Sequence, residues 1–356
     1  MPDEREPDSP DDVLDLRRRR IPRWAVVVLW AVVVAVAVTV LVNRAGSTKP
    51  DAGPTPGSSG PVLSEPLGGP VSADLQIGND RLLQLSHGAL YRWVIGAHGA
   101  LTADGVVGIA ALDLTIRNAT DHLIVDAAAH RLWLVTYGAS PATVIEFDAW
   151  TLGEVGRLLW PSEVHAAAAM GGHLYLAAVN AVVDIASATT APRTIDALTG
   201  QYTAIAADPV RSRLLLLDDT QGTQLVTYTP SSGRVSGGVH VFDKLMLQVA
   251  GGQIWVSGWS DQHAALARLD PRTLRPVTFS ELSAQLTNGA ILVSGGDHVL
   301  WVRAANDDYG LWCLDASSGN QLQYWQYAGA VASRRGAAYV AQRDGPLALH
   351  LSACGG

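Results

Sequence analysis

Acidic and aromatic residues recur together along this sequence, in each case just after a short apolar run. The combination suits binding of a cationic or sugar-like ligand, because an aromatic face attracts a cation and carboxylate oxygens bind Ca²⁺. The alternative is that hairpin loops favour Asp for backbone reasons alone. The residues of this candidate ligand rim are Tyr137, Asp218, Asp219, Trp259, Asp261, Asp307, Asp308, Tyr309 and Asp344.

Two landmarks that repeat about every 40 residues reveal the elements that hold these loops. One is a turn that closes an alternating strand, as in EFDAWTLG and RLDPRTLR. The other is a large apolar residue inside a short strand. The turn falls at Asp148, Ala186, Thr229, Asp270, Asp315 and Ser352, with a weaker copy at Asp104. The apolar residue falls at Trp133, Tyr175, Leu215, Trp255, Trp301 and Tyr339, and counting back adds Tyr91.

Seven copies in phase predict an all-β fold, a seven-bladed β-propeller whose blades are four-stranded antiparallel sheets. A single blade exposes apolar residues on both faces, so it must stack on its neighbours. The last copy ends after its third strand, which would leave an open edge. We expect Val71–Ile77 to supply the missing outer strand and to close the ring.

The motif D-x-x-(S/T)-G or D-x-x-T-L after an alternating strand resembles the YVTN-type and quinoprotein-type repeats of bacterial extracytoplasmic propellers. The segment Leu314–Trp325, LDASSGNQLQYW, is the closest match to the quinoprotein repeat. The resemblance implies the fold. It does not imply the quinone cofactor, because quinoprotein dehydrogenases use an adjacent Cys pair and typically eight blades.

Catalytic motifs are absent from the sequence, which has no GxSxG, SxxK or HExxH. Residues that could reach a metal at a channel mouth are Asp121, Glu163, Asp243 and Asn288, but their spacing selects no set. We therefore predict no catalytic, cofactor-binding or metal-ligating residue and no cofactor, with Ca²⁺ possible at the rim acids.

An apolar stretch of 19 residues, 24–42, precedes the repeats. As a helix rising ~1.5 Å per residue it would be about 28 Å long, which matches a bilayer core. Arg17–Arg23 contains five Arg, whereas only Arg44 and Lys49 follow, so the N-terminus should be cytoplasmic. A cleaved signal peptide is the alternative, although its apolar part would be shorter. The predicted domains are a disordered acidic and Arg-rich tail (1–23), a transmembrane helix (24–42), a Pro/Gly/Ser linker (43–70) and an extracytoplasmic propeller (71–356).

Charge and cysteine content narrow the function classes further. The net charge of −8 argues against a nucleic-acid surface. A disulfide between Cys313 and Cys354 would suit an oxidising compartment. The repeat alignment, however, places the two cysteines on neighbouring sheets and not in register. The sequence therefore leaves open whether they form a disulfide or stay reduced. The scarcity of Lys beside Arg indicates an actinobacterial-type, high-G+C host.

The function predicted from these features is a membrane-anchored, non-catalytic binding module at the cell envelope. Its partners would be the membrane and an envelope protein, a glycan or a small ligand. The alternative is an extracytoplasmic enzyme, lactonase-like or quinoprotein-like, that depends on a metal or a quinone. A third hypothesis is a sensor that signals to the cytoplasmic tail through a partner.

Overall fold

Short β-strands make up almost all of the regular structure. In this computed structural model the described residues are 74–78, 80–86, 89–96, 100–109, 120–220, 222–241, 243–250, 252–260, 263–281, 290–295, 299–304, 310–315, 318–325, 331–334, 337–340, 347–349 and 354. Within those ranges the single helical element is a 3-10 turn at Pro209–Arg211, and no helix is long and apolar enough to cross a membrane. The predicted tail, transmembrane segment 24–42 and linker 43–70 lie outside the described residues.

Six sheets have four strands each, paired antiparallel in chain order. Blade 1 contains β1 (Asp74–Gly78), β2 (Arg81–Ser86), β3 (Ala89–Ile95) and β4 (Leu101–Gly108). Blade 2 contains β5 (Thr120–Asp126), β6 (Arg131–Tyr137), β7 (Ala142–Asp148) and β8 (Glu154–Trp160). Blade 3 contains β9 (Val164–Met170), β10 (His173–Ala178), β11 (Ala181–Ile185) and β12 (Arg193–Thr194).

The second half of the chain continues the same pattern. Blade 4 contains β13 (Tyr202–Asp208), β14 (Arg213–Asp218), β15 (Gln224–Thr229) and β16 (Arg234–Val239). Blade 5 contains β17 (Asp243–Ala250), β18 (Gln253–Ser260), β19 (His263–Leu269) and β20 (Pro276–Glu281). Blade 6 contains β21 (Ala290–Gly295), β22 (Val299–Ala304), β23 (Leu311–Asp315) and β24 (Gln321–Trp325). The final sheet has three strands, β25 (Val331–Arg334), β26 (Ala337–Val340) and β27 (Leu347–Leu349).

The propeller prediction is confirmed at the level of all-β, four-stranded antiparallel blades, but the prediction of seven such blades is wrong. The described residues form six four-stranded blades, and the last sheet stops at three strands. The predicted closing strand, Val71–Ile77, is also misplaced. Its described part belongs to β1, which pairs with β2 through Ile77 and Leu82 at the start of blade 1. The segment LLQLS is therefore the second strand of its blade, not the first.

Stacking between blades explains why the second strands are so apolar. The six apolar landmarks from Trp133 to Tyr339 all lie on second strands and are almost fully buried. In β6 the five central residues are buried, because both faces of the strand meet neighbouring blades, whereas the outer strand β8 is largely exposed. Trp133 packs between blades 2 and 3, in one cluster with Leu174 and Leu176. Tyr339 of the last sheet packs on Leu82 of blade 1.

The repeated Asp builds the turn between the third and fourth strands. Asp148 Oδ1 accepts the backbone N–H of Trp150 (3.0 Å) and both the N–H (2.7 Å) and hydroxyl (2.9 Å) of Thr151. Asp270 holds Arg272 and Thr273 in the same way. These backbone and side-chain hydrogen bonds, with that from the N–H of Thr151 the strongest, lower the pKa of Asp148 against the opposing effect of its burial. The motif is thus a structural turn.

The first copy departs from the period, and two predicted landmarks fail there. Tyr91 lies on β3, a third strand, and Asp104 lies within β4 rather than in a turn. Leu83 on β2 occupies the position that Trp133 has on β6, since each is the third residue of a second strand that begins with Arg. The count back from Trp133 fails because the chain from Gly108 to Thr120 lengthens the first interval.

Cys313 and Cys354 form a disulfide, which the sequence left open. Cys313 lies on β23 of blade 6, and Cys354 lies beyond β27, with Cα atoms 6.2 Å apart. Both are fully buried, in a cluster with Trp301 and Val340. The bridge therefore fastens the end of the chain to the blade that precedes the three-stranded sheet.

Candidate functional site

The loops after the second strands lie on the same face as the starts of the first strands. Tyr137 at the end of β6 pairs with Thr120 at the start of β5. Asp218 pairs with Tyr202 on blade 4, and Trp259 pairs with Asp243 on blade 5. Because paired antiparallel strands run in opposite directions, the end of one lies beside the start of the other. We call this face the loop rim, and the opposite face, with the hairpins between first and second strands, the hairpin face.

At blade 2 the loop rim presents an aromatic pair. The rings of Tyr137 and His122 stack with centroids 4.2 Å apart and an angle of 23° between their planes. Tyr137 is half-buried and also packs against the apolar cluster shared with blade 3. The next residue, Gly138, donates its N–H to the Val164 carbonyl at 3.2 Å. Tyr137 therefore contributes to inter-blade packing as well as to the surface of the rim.

At blade 4 the loop rim carries two neighbouring carboxylates. Asp218 Oδ1 accepts the N–H of Thr220 at 2.9 Å, and Asp219 Oδ1 accepts the hydroxyl of Thr223 at 2.8 Å. Within the described ranges neither carboxylate forms an ion pair with a basic side chain. Burial raises the pKa of the Tyr202 phenol, and the negative charge of Asp218 adds to that rise. This part of the rim is accordingly negative and not neutralised by the protein.

The structure does not bring the aromatic pair of blade 2 and the carboxylates of blade 4 together. Blade 3 separates Tyr137 from Asp218, and its own second and third strands are joined by the two-residue turn Val179–Asn180. Trp259 lies near the end of β18, where its backbone is described but its side chain is not. The remaining predicted rim residues lie outside the described residues. They are Asp261, Asp307, Asp308, Tyr309 and Asp344.

Four residues were considered for a metal at the channel mouth. The three that are described lie at or just before the start of a first strand, on the loop rim. Asp121 is the second residue of β5 and Asp243 the first of β17. Glu163 precedes β9, and its Oε1 lies 3.7 Å from Nδ1 of His165. Asn288 is outside the described residues. Among the residues that are described, no group of three His, Cys, Asp or Glu side chains could hold a metal ion.

A second set of charged residues, on the hairpin face, was missed in the sequence. Asp208 is fully buried and accepts hydrogen bonds from Arg213 Nε (3.0 Å) and Arg211 Nη1 (3.2 Å). Asp126 accepts the N–H of Gly172, in the next blade, at 2.7 Å. The spacing offers a signal, since an Arg begins the second strand five residues after each Asp, in VDAAAHR and ADPVRSR.

The hairpin-face charges join consecutive blades. Arg131 donates to the Gly172 carbonyl at 2.8 Å and lies 3.3 Å from Glu146 Oε1. Buried Glu146 in turn accepts the hydroxyl of Ser187 (2.7 Å) and the N–H of Ala188 (2.8 Å), both in blade 3. Buried polar groups satisfied in this way stabilise the interface and leave little capacity for a ligand.

No protein-family model matches the sequence, and no curated protein matches it. Solved structures do match the fold. Hydrazine synthase of Kuenenia stuttgartiensis aligns with a TM-score of 0.57 at 13% identity, over 85% of this chain and 100% of that one. The WD40 repeats of RRP9 align with a TM-score of 0.54 at 10% identity, over 77% of this chain and 88% of that one. The dihydro-heme d1 dehydrogenase NirN, in complex with DHE, aligns with a TM-score of 0.50 at 15% identity, over 78% of this chain and 63% of that one. At these identities the similarity shows the β-propeller fold alone.

Proposed function

We propose that this chain is a non-catalytic binding module that acts at the cell envelope through the loop rim, where it takes a cationic ligand. The observation that carries the proposal is the Asp218–Asp219 pair. Both carboxylates sit on the loop rim at blade 4, and no described basic residue neutralises them. Elsewhere on the same face, blade 2 adds the Tyr137–His122 stack and blade 5 the backbone position of Trp259, and aromatic faces also favour cations.

The test uses the full-length protein and a matched pair of probes. Isothermal titration would compare a glucosamine oligosaccharide, which is cationic, with its N-acetylated and neutral counterpart, and would include Ca²⁺ as a simple cation. We expect the cationic oligosaccharide to bind at least tenfold more tightly than the neutral one. The variant Asp218→Asn/Asp219→Asn should lose that advantage, because the amides keep the hydrogen-bond acceptors but remove the charge.

Glu154→Gln is the control, since it removes an acidic charge from the outer strand β8, where Glu154 pairs with Arg157. Equal binding of the charged and neutral oligosaccharides, or unchanged binding by the double variant, would contradict the proposal. Stoichiometric metal or quinone in the purified protein would instead favour the lactonase-like or quinoprotein-like alternative.

Envelope location is the second part of the proposal, with residues 24–42 as a membrane anchor and the propeller outside. The sequence supports it through the length of the apolar stretch and the Arg residues before it. The Cys313–Cys354 disulfide adds support, because such bonds persist in oxidising compartments. A reporter enzyme that is active only outside the cytoplasm, fused after Gly356, should be active. Activity of a cytoplasm-only reporter at the same place would overturn the location.

A further inference from the structure

A cleft between blades 1 and 2 opens on the hairpin face, opposite the loop rim. Its volume is about 300 Å³, counting the part that is open to solvent. We call it the Trp150 cleft. Its walls come from the start of β2, the β5–β6 hairpin and the β7–β8 turn. They include Arg81, Leu83, Val125, His130, Ala149 and Trp150.

Arg81 supplies an oriented cation in this cleft. Its Nε donates to Asp104 Oδ2 at 3.3 Å, and its guanidinium carbon lies 4.4 Å from the centre of the Trp150 ring. The side chain is only 24% exposed. Among the described residues no hydrogen-bond acceptor meets its terminal nitrogens. Those nitrogens carry the paired donors with which Arg recognises a carboxylate.

Trp150 supplies a flat apolar surface beside the cation. Its side chain remains 46% exposed although Arg81 and His130 both contact it, the latter with a centroid separation of 5.2 Å. The backbone of Trp150 is fixed by the hydrogen bond from its N–H to Asp148. Leu83 is buried at the base of the cleft, and Val125 lies beside it. The turn thus fixes the backbone of Trp150, and Arg81 and His130 contact its indole, which stays partly exposed.

Among the described residues, the guanidinium of Arg81 has no carboxylate to itself. Asp104 is shared between Arg81 and Arg92, whose Nε lies 2.7 Å from the same carboxylate oxygen. Two guanidinium groups therefore face one carboxylate. Two further acids lie close to the cleft and already accept hydrogen bonds: Asp148 accepts three from its own turn, and Asp126 accepts the backbone N–H groups of Ala129 and Gly172. An anionic group entering the cleft would complete the pairing of Arg81 without displacing any of these acids.

We propose that the Trp150 cleft binds a small carboxylate with a flat apolar body. The carboxylate pairs with the terminal nitrogens of Arg81, and the apolar body lies against Trp150 and the Leu83–Val125 base. A site for an anion on the hairpin face is independent of the cationic ligand proposed for the loop rim, and the two can fail separately.

The test titrates the full-length protein with benzoate, followed by saturation-transfer difference NMR and isothermal titration. Benzylamine matches the size and ring of benzoate but has the opposite charge, and inorganic phosphate is an anion without the apolar body. We expect saturable benzoate binding, with benzylamine and phosphate at least tenfold weaker. Arg81→Gln and Trp150→Leu should each weaken benzoate binding at least tenfold.

Arg157→Gln is the matched control, because Arg157 lies on the outer strand of blade 2 and pairs with Glu154 outside the cleft. Arg81→Lys provides a second variant that keeps the charge and the pairing with Asp104 but loses the planar donors, and it should also bind benzoate more weakly. Benzoate binding that is equal in wild type, Arg81→Lys and Trp150→Leu would overturn the proposal. So would equal binding of benzylamine or of phosphate.

Discussion

The hairpin face and the loop rim carry the same kinds of charged side chains and use them differently. On the hairpin face Asp208 is fully buried between two Arg residues, and Asp126 bonds to the next blade. On the rim the described hydrogen bonds to the carboxylates of Asp218 and Asp219 come from their own loop, and neither carboxylate has a described basic partner. The difference shows that a loop Asp acts in assembly when Arg side chains or an adjacent blade are within hydrogen-bond reach. Otherwise its charge stays available to a ligand.

The largest expected effect on stability comes from the disulfide, which belongs to neither face. The Cys313→Ser/Cys354→Ser variant should lose about 4 kcal/mol in the free energy of unfolding, because the bridge spans 41 residues and restricts the unfolded chain. Guanidinium unfolding of the full-length protein with and without reductant measures the loss. Reductant should have no further effect on the variant. A loss below about 1 kcal/mol would mean that packing of Tyr339 on Leu82 holds the last sheet by itself.

Asp208→Asn is the sharpest test on the hairpin face. Removing one partner of a buried charge cluster leaves Arg211 and Arg213 uncompensated, so we expect a loss of about 3 kcal/mol. Urea unfolding followed by Trp fluorescence measures it. Asp219→Asn, in the same blade but exposed on the rim, is the control. If the two variants lost similar stability, the contrast between the faces would be wrong.

An intermediate effect is expected at the repeated turn. Asp148→Ala removes the acceptor of three hydrogen bonds, which should cost about 1 kcal/mol because the freed N–H groups can reach water. Asp148→Asn keeps an acceptor oxygen and should lose less. The same urea experiment measures both. A larger loss for Asn than for Ala would show that the hydrogen bonds do not explain the motif.

The turn also predicts a dependence of stability on pH. Hydrogen bonds lower the pKa of Asp148 and Asp270 from the ordinary value of 3.8, the strongest coming from the N–H of Thr151 and of Thr273 respectively. A lowered pKa in the folded state means that the contribution is complete above pH 3.8 and is lost as the pH falls through the folded-state pKa. Thermal melts should therefore show less acid sensitivity below pH 4 in Asp148→Ala than in wild type. Parallel curves would contradict this.

The smallest effect on stability is expected at the rim. Asp218→Asn/Asp219→Asn should stay within about 0.5 kcal/mol of wild type, because both side chains keep an acceptor oxygen and have no ion pair with a described residue to lose. Ligand binding, rather than unfolding, should respond to this variant. A marked destabilisation would mean that Asp218 and Asp219 stabilise the fold as the hairpin-face acids do, and it would weaken the binding proposal.

The repeated core was predictable because stacking imposes the same demand on every blade. Each second strand must be apolar on both faces, so Trp133, Trp255 and Trp301 mark their strands without any partner being known. The Asp turn repeats for the same reason, since one backbone shape recurs at Asp148 and Asp270. Both signals are local in sequence. They fail in the first copy, where the long connection between Gly108 and Thr120 breaks the count.

Features that depend on pairing between distant segments could not be read in the same way. The alternation in Asp74–Gly78 suits a first strand of blade 1 as well as an outer strand of the last sheet, and only the pairing of Ile77 with Leu82 decides. The disulfide likewise depends on how Cys354 returns to β23. At the rim the sequence identified the acids of blade 4, but it could not show that Asp208 a few residues earlier is neutralised while Asp218 is not.

The two-residue turn Val179–Asn180 carries neither an aromatic ring nor a carboxylate, and so a gap one blade wide separates the stacked rings of blade 2 from the carboxylates of blade 4. A ligand the size of one sugar could touch the stacked rings of blade 2 or the carboxylates of blade 4, but not both at once. Affinity for the rim should therefore rise in a step when an oligomer becomes long enough to bridge the gap, instead of growing evenly with each added unit. Chain length, more than the chemistry of a single unit, would then decide which polymers the protein retains.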